Sequence, residues 1–578
     1  MSNRSTYDPL ITVDYEEVTV RDPELLKRLR DIGEFYLSIS VDDAFYEMRK
    51  AAGLDTKNGK SLINGKSWFK YGGIVLGQWL QAFCRFYRAT GDERFRQLAS
   101  DYVGALLQVQ KRIPDCCICN TAYMAEKLFH GLMDACELCG IAEAYPLCRT
   151  LMDMFRQIPA IANAQCRLGD NGSQDETFRE IEWYTLSEAL YRFADMAIDH
   201  GEPEEYVASI ERFAKKFEYN EFWDIFLKGE NLFEYSPKAG VNTEYFHAYS
   251  HVNSFNSAAY LYHRTGDEKY LTAAKRFKAF MDKTQVVATG GYGTMLEWLL
   301  PQNRIVDALL HCHCTFENQC NTYASLRLNR FLTAATGDIR YGHGSELLYY
   351  NSFLASLETD KTGHTYYYSD YCADGGSKWL NTISWTCCTG TRPLVATELL
   401  KNIYFRGRDG SLYVNLFIAS QIECENAVVT VSGNYIKDGS VAVLCTPKAG
   451  AAAGQTVHIR KPDYIKVPPV ITGVAYMQDE RQYHLFFEPG TEQTAYLRFS
   501  LPVYEKDIMD KTLGARAFLH GPLVLAAEGI ERRPTPSARE LTAADCGCFT
   551  ARGERFRPFM DYTQNEEYRM HFVLEEEI

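Results

Sequence analysis

The chain has 578 residues, 46% of them hydrophobic and 24% charged, enough apolar material for a large core and too much for a disordered or fibrous protein. Its net charge of −14, with no dense Lys/Arg block, excludes nucleic acid and an anionic lipid surface as partners. Mean hydropathy is −0.29 and no long uncharged apolar run occurs, so a membrane span is excluded as well.

Met1-Ser2-Asn3-Arg4-Ser5 is followed by no apolar segment of signal-peptide type, so the expected compartment is the cytoplasm, with a leader removed ahead of this numbering as the alternative. The stretch Leu10 to Val20 reads as a strand and residues 23–36 as a first helix. From there to about Phe405 the pattern is helical: Val75, Leu76, Trp79, Leu80, Phe83, Phe86 and Tyr87 recur at helical spacing until Thr90-Gly91-Asp92 stops them. The same stop returns at Thr265-Gly266-Asp267 and Thr336-Gly337-Asp338, and weaker forms sit at Gly140 and Gly201. Glycine there takes a left-handed helix-ending position and Asp caps the next helix. These glycines lie 49 to 71 residues apart, the length of one helical hairpin with its loops. Together with the first helix and a last one near residues 392–404, they predict six helix pairs. Six pairs can close into an (α/α)6 toroid, and an open helical superhelix fits the same spacing.

Beyond Phe405 the texture changes to short apolar or alternating runs: Leu412 to Ile418, Ala427 to Val431, Val441 to Cys445, Val457 to Ile459, Tyr483 to Phe487 and Tyr496 to Phe499. Turn signals such as Arg408-Asp409-Gly410 and Glu488-Pro489-Gly490 separate them, which predicts an all-β sandwich. The expected fold is α+β multidomain: an (α/α)6 barrel over 20–405, then a β-sandwich region over 406–578 joined by the N-terminal strand 8–19.

Eighteen cysteines in such a chain are expected to be thiols, most of them buried fillers. Three stretches could carry chemistry: His311-Cys312-His313-Cys314-Thr315-Phe316-Glu317-Asn318-Gln319-Cys320, Trp385-Thr386-Cys387-Cys388-Thr389-Gly390, and the glycine-rich Gly290 to Glu297. Cys320, Cys387 and Cys388 can supply three thiolates to one Zn²⁺, with a carboxylate completing a tetrahedron. The spacing alone favours plain buried cysteines over a metal site. Glu297 is one loop carboxylate, an ordinary cap or solvated charge unless the fold brings it beside a nucleophile. Cys116-Cys117-Ile118-Cys119 and Cys546-Gly547-Cys548 read as structural, and His313 as cleft lining or packing.

Cys320-Asn321-Thr322-Tyr323, leading a helix that ends in Thr336-Gly337-Asp338, followed by Tyr349-Tyr350-Asn351-Ser352-Phe353, resembles the β-L-arabinofuranosidase clan of glycoside hydrolases, families 127 and 146. Cys387-Cys388-Thr389-Gly390 is most similar to the 146 branch. Leu412-Tyr413-Val414-Asn415 and Leu519-His520-Gly521-Pro522 resemble the clan's β-sandwich part. The resemblance implies a zinc-dependent retaining exo-glycosidase that removes a terminal L-arabinofuranose-like sugar. In that reading Cys387 is the nucleophile, Glu297 the acid/base, and Cys320, Cys387 and Cys388 the zinc ligands. His251 and Asn253 match a His-Ala-Asn-Thr segment that contacts the sugar.

The chain departs from the clan at several of these positions. The clan's zinc-binding glutamate falls on Asn318, so Glu317, one place earlier, becomes the expected fourth ligand, with Cys314 a second candidate. Clan histidines become Glu126 and Gln78, the latter beside Trp79, and Glu182 opens a changed sugar-binding stretch, so a sugar other than the familiar one is expected. A glycoside or oligosaccharide is the implied partner, and a homodimer is compatible with the sequence. Two other readings stand beside this one: a different enzyme on the same toroid, such as an epimerase or lyase, and a non-catalytic carbohydrate-binding protein.

Overall fold

A computed structural model of the chain describes residues 6–62, 73–112, 122–157, 182–234, 246–365, 368–381, 383–509, 514–531 and 533–573. Cys116, Cys117 and Cys119 lie outside the described residues. No helix among those described is long and apolar enough to cross a membrane.

Six helices pack in a closed ring: α1 (Gly73–Thr90), α2 (Ala122–Cys139), α3 (Leu186–Asp199), α4 (Ala248–Thr265), α5 (Gln319–Thr336) and α6 (Cys387–Leu400), with α6 returning to α1. Each has an outer neighbour. Glu93–Arg112 lies on α1, Ala144–Phe155 on α2, Glu204–Ala214 on α3, Glu268–Thr284 on α4, Gly342–Leu348 on α5 and Pro23–Leu37 on α6. The helix stops behave as the sequence predicts. Gly91, Gly266 and Gly337 have φ of 69°, 70° and 69°. In each case the preceding threonine hydroxyl accepts from the following aspartate amide, and the aspartate accepts from the amide two residues on.

Helices α2, α4 and α5 are buried on almost every side, so their polar residues must find partners inside. Arg85 bridges Asp134 (3.0 Å) and Glu398 (3.3 Å), Arg192 reaches Asp134 (2.6 Å), Arg330 reaches Glu398 (2.5 Å), and Arg327 pairs with Glu188. These ion pairs tie α1, α2, α3, α5 and α6 together across the ring interior.

The strand region holds more than one sandwich. Two six-stranded sheets share a core through Val414, Val457, Ile459 and Leu485 on one side and Ile422, Val429, Val431 and Val443 on the other. The alternating burial of Ala427–Ser432 is that of a strand with one wet face. Leu10 to Val20 forms two strands rather than one. Leu10–Thr12 pairs with Tyr404–Gly407 in the first sheet, and Val18–Val20 with Ser420–Glu423 in the second. Between them Asp14 and Glu17 close a reciprocal capping box around a short 3-10 turn, which redirects the chain from sheet to sheet.

A third sheet is built from residues 503–573 and has its own core with Val306 and Leu309 of the helix Gln302–His311. Its edge is a hairpin from the helical half of the sequence: Tyr368–Ser369 pairs with Gly376–Trp379, which pairs with Glu567–Arg569. His311 is the last residue of the helix Gln302–His311, and Cys312 after it is already extended.

Candidate active site

The mouth of the site is made by helix beginnings. Cys387 and Cys388 are the first two residues of α6, and Cys320 is the second residue of α5. Orphan amides and the helix dipole at such ends favour anions, thiolates included. The three sulfurs lie within 4.8 Å of one another, with Cys320 and Cys388 buried and Cys387 half-buried. Cys320 Sγ is 3.3 Å from Cys388 Sγ and 3.3 Å from the Thr391 hydroxyl.

Burial raises the Cys320 thiol, but hydrogen bonds from Cys387 and Cys388 outweigh it and bring it down to about 6. The other two move the opposite way: donation to Cys320 holds the Cys387 proton, and burial raises Cys388. One negative charge is thus stable among three sulfurs, and removing the remaining protons calls for a cation between them. Four-coordinate zinc at about 2.3 Å from sulfur would space its ligands about 3.8 Å apart, which this cluster can meet. The donor set fits a soft divalent ion.

Glu297 sits beside this cluster, near enough for its charge to act on Cys320 and Cys387. Its φ is 82°, and Met295 just before it has φ 55°. Left-handed backbone at non-glycine residues costs about 1–3 kcal/mol each and collects at functional sites. The strain is held by contacts to both carboxylate oxygens: Asn318 Nδ2 donates to Oε1 at 2.5 Å, and His247 Nε2 meets Oε2 at 2.5 Å. His247 Nδ1 lies 2.9 Å from Glu182 Oε1, and Glu182 is itself left-handed at φ 63°. Burial alone would lower the His247 imidazole, yet Glu182 and Glu297 raise it well above its usual value. It is therefore a cation bridging two carboxylates.

The family model for "Beta-L-arabinofuranosidase, GH127 catalytic domain" matches residues 17–395. The chain belongs to the GH127 β-L-arabinofuranosidase family. It is a glycoside hydrolase. Among solved structures it is similar to a GH127 β-arabinofuranosidase (TM-score 0.69, 14% identity, covering 98% of each chain). It is also similar to the GH127 β-L-arabinofuranosidase Ara127N-Se from Geobacillus stearothermophilus T6 (0.68, 15%, 96% of this chain and 99% of that one). A third, titled only a glycoside hydrolase, gives 0.67 at 13% identity over 99% of both chains. At such identities these likenesses speak for the fold. No curated protein matches the chain.

Several expected residues of this GH127 chain stand elsewhere than the sequence suggests. Asn318 is extended (φ −151°, ψ 173°), so Glu317 and Asn318 point to opposite sides. Glu317 is fully buried, accepting from Thr289 and from Tyr371 (2.7 Å), and is not among the clustered donors. Cys314 is not among them either, and burial pushes its thiol up to about 12. His251 is fully buried among Tyr184, Tyr219, Phe222 and Phe246, and burial drives it down to about 3. The histidine that reaches Glu297 is His247, one helical turn earlier on the same face.

Asn253 accepts from Arg327 (2.8 Å) within the ring interior. Trp79 is fully buried, donates to the Thr389 carbonyl (3.1 Å) and packs edge-on against Trp385, so it supports the start of α6 from beneath. Gln78 is buried with neither amide atom partnered among the described residues, and it lies against Gly390, one turn past Cys387. Glu126 is paired with Lys127, whose Nζ also donates to the Tyr249 hydroxyl at 2.5 Å. His313 is exposed at the surface, 2.7 Å from Asp370.

Gly291 shows how tightly Glu317 is boxed. A Cβ there would lie 1.5 Å from Glu317 Oε2. Gly291→Ala is expected to destabilise the protein by about 1–3 kcal/mol, the usual range for overpacking, read as a lowered melting temperature.

Proposed function

We propose that this GH127 chain is a retaining exo-glycosidase that removes a terminal β-linked L-arabinofuranose or a close relative of that sugar. The observation that carries the reading is the cluster of three thiols at two helix beginnings with Glu297 clamped beside it. Cys320, Cys387 and Cys388 would hold a zinc ion, which when bound keeps their sulfurs deprotonated. Cys387, the most exposed of the three, is the nucleophile that attacks the anomeric carbon. Glu297 protonates the departing oxygen and then takes a proton from the incoming water. His247, which Glu182 and Glu297 hold well above its usual value, lies against Glu297 as the source of the proton delivered to the leaving group.

The closed ring of six inner and six outer helices supports an (α/α)6 barrel over 20–405. The pairing of Leu10–Thr12 and Val18–Val20 with later strands supports assigning 8–19 to the strand region that follows. Gln78, whose buried amide has no partner among the described residues, and the Glu126–Lys127 pair are the side chains we assign to choosing among sugars. A hydroxyl that fills Gln78's vacancy is favoured, since a buried polar group left unpaired costs about 1–3 kcal/mol.

Hydrolysis of aryl β-L-arabinofuranosides, with the anomer of the released sugar followed by NMR, tests the reading. Retained configuration supports it, and release of the inverted anomer ends it. Glu297→Gln is expected to lose about 10²- to 10⁴-fold in kcat/KM on poor leaving groups and much less on nitrophenyl glycosides, which need no protonation. A loss independent of the leaving group would take the acid role from Glu297.

A further inference from the structure

The two carboxylates beside the sulfurs in sequence or in charge contact, Glu317 and Glu297, and the Asn318 and Thr391 side chains are each committed elsewhere. Both oxygens of Glu317 accept, from Tyr371 and Thr289. Asn318 uses Oδ1 to cap α5 through the Asn321 amide (2.9 Å) and Nδ2 to hold Glu297. Glu297 has Asn318 on one oxygen and His247 on the other. The Thr391 hydroxyl spans Cys320 Sγ and the carbonyls of its own helix, the position of a donor to sulfur. Turning Asn318 toward the sulfurs would give up a helix cap, about 1 kcal/mol, and strip Glu297 of one of its two donors.

We infer that Cys320, Cys387 and Cys388 form a three-thiolate metal site whose fourth position the chain leaves open to an exchangeable small ligand, with Asn318 serving Glu297 instead of the metal. The inference rests on the metal-binding reading above and goes beyond it. Structural zinc sites are closed by four protein ligands, whereas an open position lets a small anion or an oxygen of a bound molecule enter. Cys387, half-buried where the other two cysteines are buried, lies on the side from which such a ligand would arrive.

The test is optical. The full-length protein is loaded with Co²⁺ as the probe metal, and azide is then titrated in. The sulfur-to-cobalt charge-transfer band reports the thiolates, and the visible ligand-field bands report the fourth ligand. The expected result is a three-thiolate charge-transfer band with ligand-field bands that shift saturably with azide. In Asn318→Glu, which supplies a carboxylate at that position, the charge-transfer band should persist and the azide response vanish. Azide-insensitive ligand-field bands in the wild type would overturn the open position while leaving metal binding intact. A cobalt-loaded sample with no charge-transfer band would overturn both. The wild-type titration decides the question even if the variant fails to fold.

Discussion

Cys387→Ser is expected to lower kcat/KM on an aryl arabinofuranoside by about 10⁴-fold or more, because a serine hydroxyl stays protonated where a thiolate would attack. The fold should survive. The residue is the first of α6, just after the N-cap Thr386, and it is the least buried of the three cysteines. Steady-state rates with far-UV circular dichroism on the same samples check both halves. Wild-type rates in the variant would remove Cys387 from the mechanism, and a lost helical signal would reveal a structural role instead.

The second large effect lies in the ring interior. Glu398 is fully buried, and although burial raises its carboxyl, Arg330 and Arg85 more than offset this and hold it below the usual carboxylate value. Glu398→Gln leaves two buried guanidinium groups without their shared anion, an expected loss of about 3–5 kcal/mol at pH 7. A carboxyl whose folded pKa is depressed adds stability above its unfolded value of about 4.5 and loses it as pH falls through the folded value. The gap between wild type and variant should therefore narrow in acid. Chemical denaturation at pH 7 and near pH 4 measures it, and a gap that widens toward acid would contradict the assignment.

The helical half was legible because its stops are chemical: a threonine, a left-handed glycine and a capping aspartate leave the same mark at 90–92, 265–267 and 336–338. The sulfur cluster was legible for a related reason, since Cys320 and Cys387 both open helices whose ends can be located. What could not be read is orientation within a turn. His247 and His251 share one helical face, and the sequence pattern does not say which of two successive turns meets the carboxylates. Glu317 and Asn318 pose the same problem in extended chain, where one step reverses the direction of a side chain. The edge hairpin of the third sheet was missed because its strands at 368–369 and 376–379 are too short to show alternation, and the second pairs with 567–569 across nearly 200 residues.

That hairpin has a consequence for inheritance. The segment leading into Cys387 is joined by main-chain hydrogen bonds to a strand near residue 568, and the Lys378 amine is held by the carbonyls of Phe559 and Tyr562 at 2.8 Å each. Tyr371, on the turn of the same hairpin, supplies a hydrogen bond to Glu317. A lineage that exchanged its C-terminal strands would have to rebuild the approach to Cys387 and Cys388. The two halves are therefore expected to descend together and to resist being cut, swapped or shuffled as separate modules.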